Sequence, residues 1–340
     1  MERKAFDRRH FLLTASAGAA ALVSGCARSK SRVVLYVSHD WEHTGAILQR
    51  FSQRTGMVVD VRTDTEASKS VGLYELIVRE KDRPRCDLFW NGEMLHTIRL
   101  AEQGLLAAYE PPGAQGLPSW CRAADGTWYG LAARARVLLV HREAGDSVPR
   151  TLADLVDRRW QGRVAVARPQ FGSTATHMAC LHAAWGRERW LEWMRRLSRH
   201  AVTVPGNRQV AEAVARGECL VGLTDTDDAA LELRRGSPAR VVFPDQDKGQ
   251  DGTLVFPNTL ALLAGAPHPD AARQLLDHLV SPETERTMAR APGAHIPLHR
   301  DAQDARPSLW PAHIEPLAVD FQRAARLWEE TQSLLRAEWP

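Results

Sequence analysis

The chain has 340 residues, 44% of them hydrophobic and 25% charged, with a formal net charge of +3. That length suffices for two core-forming lobes, and the composition excludes a disordered or low-complexity chain. Most of the positive excess lies in the first 26 residues, so the remainder is near neutral and no basic surface points to a nucleic-acid partner.

Arg3, Lys4, Arg8 and Arg9 precede an Ala/Gly-rich apolar stretch that ends at Val23-Ser24-Gly25-Cys26, the pattern of an export signal over residues 1–26. The apolar stretch falls short of the roughly 20 residues a spanning helix needs. Arg8-Arg9-His10-Phe11-Leu12 resembles a twin-arginine signal, and the run to Cys26 resembles a lipobox whose cysteine is lipidated after cleavage. The expectation is a protein in the periplasm or on the outer face of the membrane, held by a lipid anchor on Cys26. Cys86, Cys121, Cys180 and Cys219 follow no metal-ligand spacing and read mostly as small apolar core residues, with one disulfide left open.

A β-branched run at 33–37 predicts a strand, followed by a helix that stops at Gly56 and a strand at 57–61. Helix 70–81, strand 86–90 and a helix near 95–102 continue the alternation, and 131–140 reads as a long strand. A second series begins after Thr151: strand 164–167, a helix from Thr174, strand 202–204, helix 209–216 and strand 220–224. Strand 253–263, helix 269–280, a polar Pro-containing stretch and an amphipathic helix at 319–338 complete the chain. Repeated βαβ units imply mostly parallel sheets. Trp185, Trp190 and Trp193, at helical spacing, read as lobe packing.

In such folds ligands gather where strand ends meet helix starts. Four loops answer that description: 38–42, Asn91-Gly92-Glu93, 171–176 and 224–228. Ser173, Thr174 and Ala175 open a helix, and free N–H groups with hydroxyls there could cradle an anion, or one hydroxyl could simply cap the helix. Asp225, Asp227 and Asp228 crowd three carboxylates together, which suits a cation, a donor-rich ligand or a solvated turn. Arg134 and Arg136 could pair with that cluster or contact the anion, with exposure of one of them the alternative. Trp41 and Trp90 could wall a pocket. Ser173, His177 and Asp225 could be read as a hydrolase triad, but no Gly-x-Ser-x-Gly turn supports it.

Segments 58–67, Asp87-Leu88-Phe89-Trp90-Asn91, 130–137, Ala167-Arg168-Pro169 with 171–177, and 252–258 together resemble ferric-iron-type substrate-binding proteins of ABC transporters, over nearly all of 33–297. The resemblance implies an α/β, bilobal type II periplasmic-binding-protein fold, with two mixed or parallel sheets, flanking helices and a hinge. It implies lobe 1 from 32–135, lobe 2 from 136–245, and a return to lobe 1 with C-terminal helices over 246–340. It also implies no catalysis and no catalytic cofactor, a monomer, and delivery of the ligand to an ABC permease and ATPase complex. By motif position the His of iron-binding members falls at Asp40 or, one residue away, His39, their Glu falls at Gly92 or its neighbour Glu93, and Asp227 and Asp228 fall where they carry two tyrosines, with Asp225 nearby. Ser173, Thr174 and Ala175 match the anion loop, Asn207 a further anion contact, and Arg136 lies beside it. These residues suit Fe³⁺ or another hard cation with a synergistic anion. They also suit a zwitterion such as an aminophosphonate, and a ligand-sensing lipoprotein is a further alternative.

Overall fold

The β-branched run forms β1 (Arg32–Val37), and α1 (Trp41–Thr55), β2 (Val58–Thr63), α2 (Val71–Arg79), β3 (Leu88–Asn91) and α3 (Leu95–Glu102) follow in alternation. This computed structural model describes residues 31–38, 41–64 and 70–339. The export segment, Cys26 and Asp40 therefore lie outside the described residues, as does the side chain of Trp41. After the short β4 (Leu106–Ala107) come β5 (Tyr129–His141), β6 (Val164–Ala167), α4 (Gly172–Trp185), α5 (Arg187–His200) and β7 (Ala201–Val204). Next are α6 (Asn207–Ala215), β8 (Val221–Asp225), α7 (Thr226–Arg234) and β9 (Ala239–Val242). The chain closes with β10 (Val255–Leu263), α8 (Pro269–Leu279), α9 (Pro282–Arg290), α10 (Phe321–Arg326) and α11 (Trp328–Glu338).

The strands follow the order β2-β1-β3-β10-β5-β8-β6-β7, with β4 on β10 and β9 on β5. β1 is parallel to β2 and β3, β6 is parallel to β7 and β8, and the middle pairings are antiparallel. β5 makes this bilobal. Its first part, Tyr129 to Ala135, pairs with β10, and from Arg136 onward it pairs with β8 and β9. One strand thus leaves one half-sheet and enters the other, buried along its whole length, and this crossover forms the hinge of the bilobal α/β fold.

Local chemistry accounts for the elements. Asp87 pins the first lobe, because its carboxylate accepts from Val34 N at 2.7 Å and from His268 N, ahead of α8, at 2.6 Å. Burial on every side marks α4, where Ser173 to Ala183 are all enclosed, so its polar residues must find partners inside. Trp190 stacks on His182 at 4.6 Å and Trp193 meets Trp185 edge-on at 5.4 Å, which is the lobe packing their spacing predicts.

The polar stretch after 280 contains a helix. Ser281 accepts from Thr284 N at 3.2 Å and Pro282 takes the first helical position, so Pro starts α9 rather than interrupting one. The helix expected over 319–338 is divided at Leu327, and Trp328 packs edge-on against His96 at 4.4 Å. All four cysteines among the described residues are free and buried. No helix among those residues is long and apolar enough to cross a membrane.

Candidate functional site

The strand-end loops converge. Ser38 after β1, Gly92 after β3, Ser173 and Thr174 at the start of α4, Asn207 at the start of α6, and Asp225, Asp227 and Asp228 at the β8–α7 junction line one cleft. Its cavity volume is about 60 Å³. One water needs roughly 10–15 Å³, so there is room for a small ion pair or a compact solute.

Two buried arginines organise the cleft. Arg136, with no exposed surface, donates to Asp225 Oδ1 at 2.6 Å and to Asn207 Oδ1 at 3.1 Å. Arg134 reaches across the cleft to Asp225 Oδ2 and Asp227 Oδ2, each at 3.3 Å, and donates to the Gly92 carbonyl on its own side. Neither is exposed: residues two apart on a strand share a face, and here that face looks into the cleft. Asp225 also accepts from Ser173 Oγ at 2.5 Å and Asn207 Nδ2 at 3.1 Å. Both its oxygens are engaged, which makes it the hub of the arginine network rather than an open cation ligand.

Carboxylate oxygens of Asp225, Asp227 and Asp228 nevertheless approach within 4.8 Å of one another. Asp227 is 4% exposed, and its Oδ1 is buried without a hydrogen-bond partner. The acidic pair opens α7, where the positive end of the helix dipole favours negative charge.

Other expected residues sit elsewhere. Glu93 is buried away from the cleft lining. It accepts from Leu95 N at 2.6 Å, His96 N at 3.1 Å, Asn91 Nδ2 at 2.8 Å and Thr176 Oγ1 at 2.8 Å. The start of α3 and a hydroxyl of α4 have captured it, and burial raises its pKa above the usual carboxylate range. Ala175 has no exposed surface and points into the core, as does Trp90. Ser173, Thr174 and Asn207 do form a linked cradle, with Thr174 Oγ1 on Asn207 Oδ1 at 3.1 Å and Asn207 Nδ2 on Ser173 Oγ at 2.7 Å. Ser173 donates to Asp225 and not to His177, so a Ser/His dyad does not assemble, and burial with the nearby Arg136 holds His177 well below its ordinary pKa.

One residue near the site escaped the sequence reading. His295, fully buried on the return segment, brings Nε2 to 3.9 Å from Asp227 Oδ2. It follows α9 rather than a strand end, so no local signal marks it.

Residues 95–324 match the protein family described as bacterial extracellular solute-binding proteins. Iron uptake protein A1 of Synechocystis sp. is 25% identical, covering 77% of this chain and 74% of its own. A periplasmic protein of Salmonella typhimurium, provisionally named as 2-aminoethylphosphonate-binding, is 21% identical with 78% of each chain covered. The structure of iron-bound HitA from Pseudomonas aeruginosa superposes with a TM-score of 0.79 at 26% identity, over 90% of this chain and 99% of that one.

Proposed function

Because the chain belongs to the bacterial extracellular solute-binding proteins, binding components of ABC importers and not enzymes, we propose that its cleft holds a hard cation with an accompanying anion, ferric iron first among such cations. The observation that carries this reading is the buried, unpartnered Oδ1 of Asp227 in the cleft, beside Asp228 and within a cluster of converging carboxylate oxygens. Such oxygens suit hard cations. The helix start at Ser173 and Thr174, with Arg136 behind it, suits the anion. The iron named in the relatives' descriptions supports the same cargo. Aspartates stand where a tyrosine pair would hold ferric ion in the family resembled, so oxygen donors of a different kind would take the metal.

A second reading is favoured by the arginines. Arg134 and Arg136 balance Asp225, Arg134 also reaches one oxygen of Asp227, and the other oxygen of Asp227 with Asp228 suits an ammonium as well as a metal. A zwitterion such as an aminophosphonate would then lay its anionic end on the α4 start. In both readings the occupant bridges the lobes, and Arg134–Asp227 and Glu93–Thr176 are contacts between them that accompany closure. Delivery is to a permease and ATPase complex, by a monomer tethered through Cys26, with Asp40 as a further ligand from the first lobe.

Elemental analysis of the protein from its native envelope, with thermal-shift titration of Fe³⁺ with citrate, divalent cations and 2-aminoethylphosphonate, tests the choice. Stoichiometric metal supports the cation. Metal-free protein stabilised by the phosphonate alone replaces it with the zwitterion.

A further inference from the structure

A larger groove, of about 630 Å³, lies beside the cleft and shares only Arg168 and Phe171 with it. Its walls come from both lobes: α2 and α3 on one side, Phe171 and Thr203 on the other, with α11 as the third wall. α11 is fastened to the second lobe, since Thr331 Oγ1 meets His182 Nδ1 at 2.8 Å and Trp339 Nε1 donates to Thr203 Oγ1 at 2.8 Å.

The groove has a definite chemical character. Tyr74, Trp328 and Trp339 line it with largely buried rings, and half-buried Phe171 offers the most ring surface. Arg99 lies over Tyr74 at 4.5 Å and pairs with Glu329, which removes one guanidinium and one carboxylate from the balance. Arg168 and Arg336 remain, outside any ion pair among the described residues, against Glu75, so the wall is net positive. His96 adds a donor. Arg99 Nη1 can only donate, so His96 Nδ1, 3.2 Å away, accepts and the ring proton sits on Nε2, which meets no protein acceptor. Gln332 Nε2 is likewise buried without an acceptor. Rings, unpaired guanidinium groups and unanswered donors select a molecule with a flat body and acceptor oxygens.

We infer that this groove is a second small-molecule site, for an organic anion carrying a planar ring, and that its occupant favours the closed arrangement of the lobes. The occupant touches elements of both lobes at once, and the reciprocity of linked equilibria then requires it to tighten cargo binding in the cleft. The proposal holds whichever cargo the cleft takes.

Calorimetric and ligand-observed NMR titration of the full chain with indole-3-acetate, and with benzoate as the smaller comparator, tests it. The expected result is saturable indole-3-acetate binding in the millimolar range or tighter, weakened roughly tenfold in Arg336→Ala. Arg336 is exposed and its replacement should leave the melting curve unchanged. Asp227→Asn with Asp228→Asn should leave this binding unaltered, because those residues line only the cleft. Absence of binding at about 10 mM, or binding lost in the cleft variant and retained in Arg336→Ala, overturns the proposal.

Discussion

Arg136 and Asp225 stand directly opposite each other in the β5–β8 register, and the guanidinium donates to the carboxylate at 2.6 Å with both side chains almost wholly buried. Removing one partner of a buried pair costs about 3–5 kcal/mol, here toward the lower end because Arg134 also reaches Asp225. Arg136→Ala should therefore lose about that much stability in urea denaturation, and Arg136→Met with Asp225→Leu should recover most of the loss. A single variant as stable as the parent would show that Arg136 is not needed to balance Asp225, with Arg134 alone meeting the charge.

Asp227→Asn with Asp228→Asn is expected to abolish cargo binding by calorimetry while the chain still folds, at some loss of stability because Asp227 pairs with Arg134 and both acids sit at the positive end of α7. Ser173→Ala should cost less affinity, about tenfold or below, because the backbone N–H donors of α4 survive the change. Unchanged cargo affinity in the double variant would remove these aspartates from the site.

How much of this was legible depends on sequence distance. Ser38, Gly92, Ser173 and Asp225 each follow a strand or open a helix, so local pattern alone places them at one cleft. That Arg134 and Arg136 could meet the acidic cluster was legible, but that both reach Asp225, with Arg136 directly opposite it, follows from the register of β5 on β8, strands far apart in the chain. Glu93 was misread for a local reason. A Glu two and three residues ahead of free helical N–H groups binds them before it can face a ligand, a preference that the family position obscured. Trp90 follows the same logic, since a strand buried on both faces sends every side chain into the core.

Glu93→Gln probes that reassignment. The carboxylate accepts four hydrogen bonds, whereas an amide offers one oxygen and turns an NH₂ toward donors. Stability should fall by about 1–3 kcal/mol through the lost bonds, with cargo affinity reduced much less than in the Asp227 and Asp228 variant. Loss of cargo binding at unchanged stability would return Glu93 to the ligand set.

The last expectation concerns pH. Asp245 has its carboxyl pushed up to about 6 from the usual 3.8, first by burial and then by Asp251 and Asp154, against the Leu152 N–H that it accepts at 3.1 Å. A folded-state pKa above the unfolded one means that the folded protein holds the proton more tightly, so stability from this group is full below about pH 4 and is lost as pH rises through about 6. Asp245→Asn keeps an acceptor for Leu152, tolerates the residue's positive φ of 59° and cannot ionise. The difference between parent and variant stability, measured by urea denaturation at steps from pH 4 to pH 7, should therefore open in the variant's favour as pH rises, levelling at roughly 1 kcal/mol above pH 6 once solvent screening is allowed for. Other buried acids, Glu93 and Glu285 among them, titrate identically in both proteins and cancel in that difference. Parallel profiles across the whole range would place Asp245 in a hydrated environment, contrary to its 5% exposure.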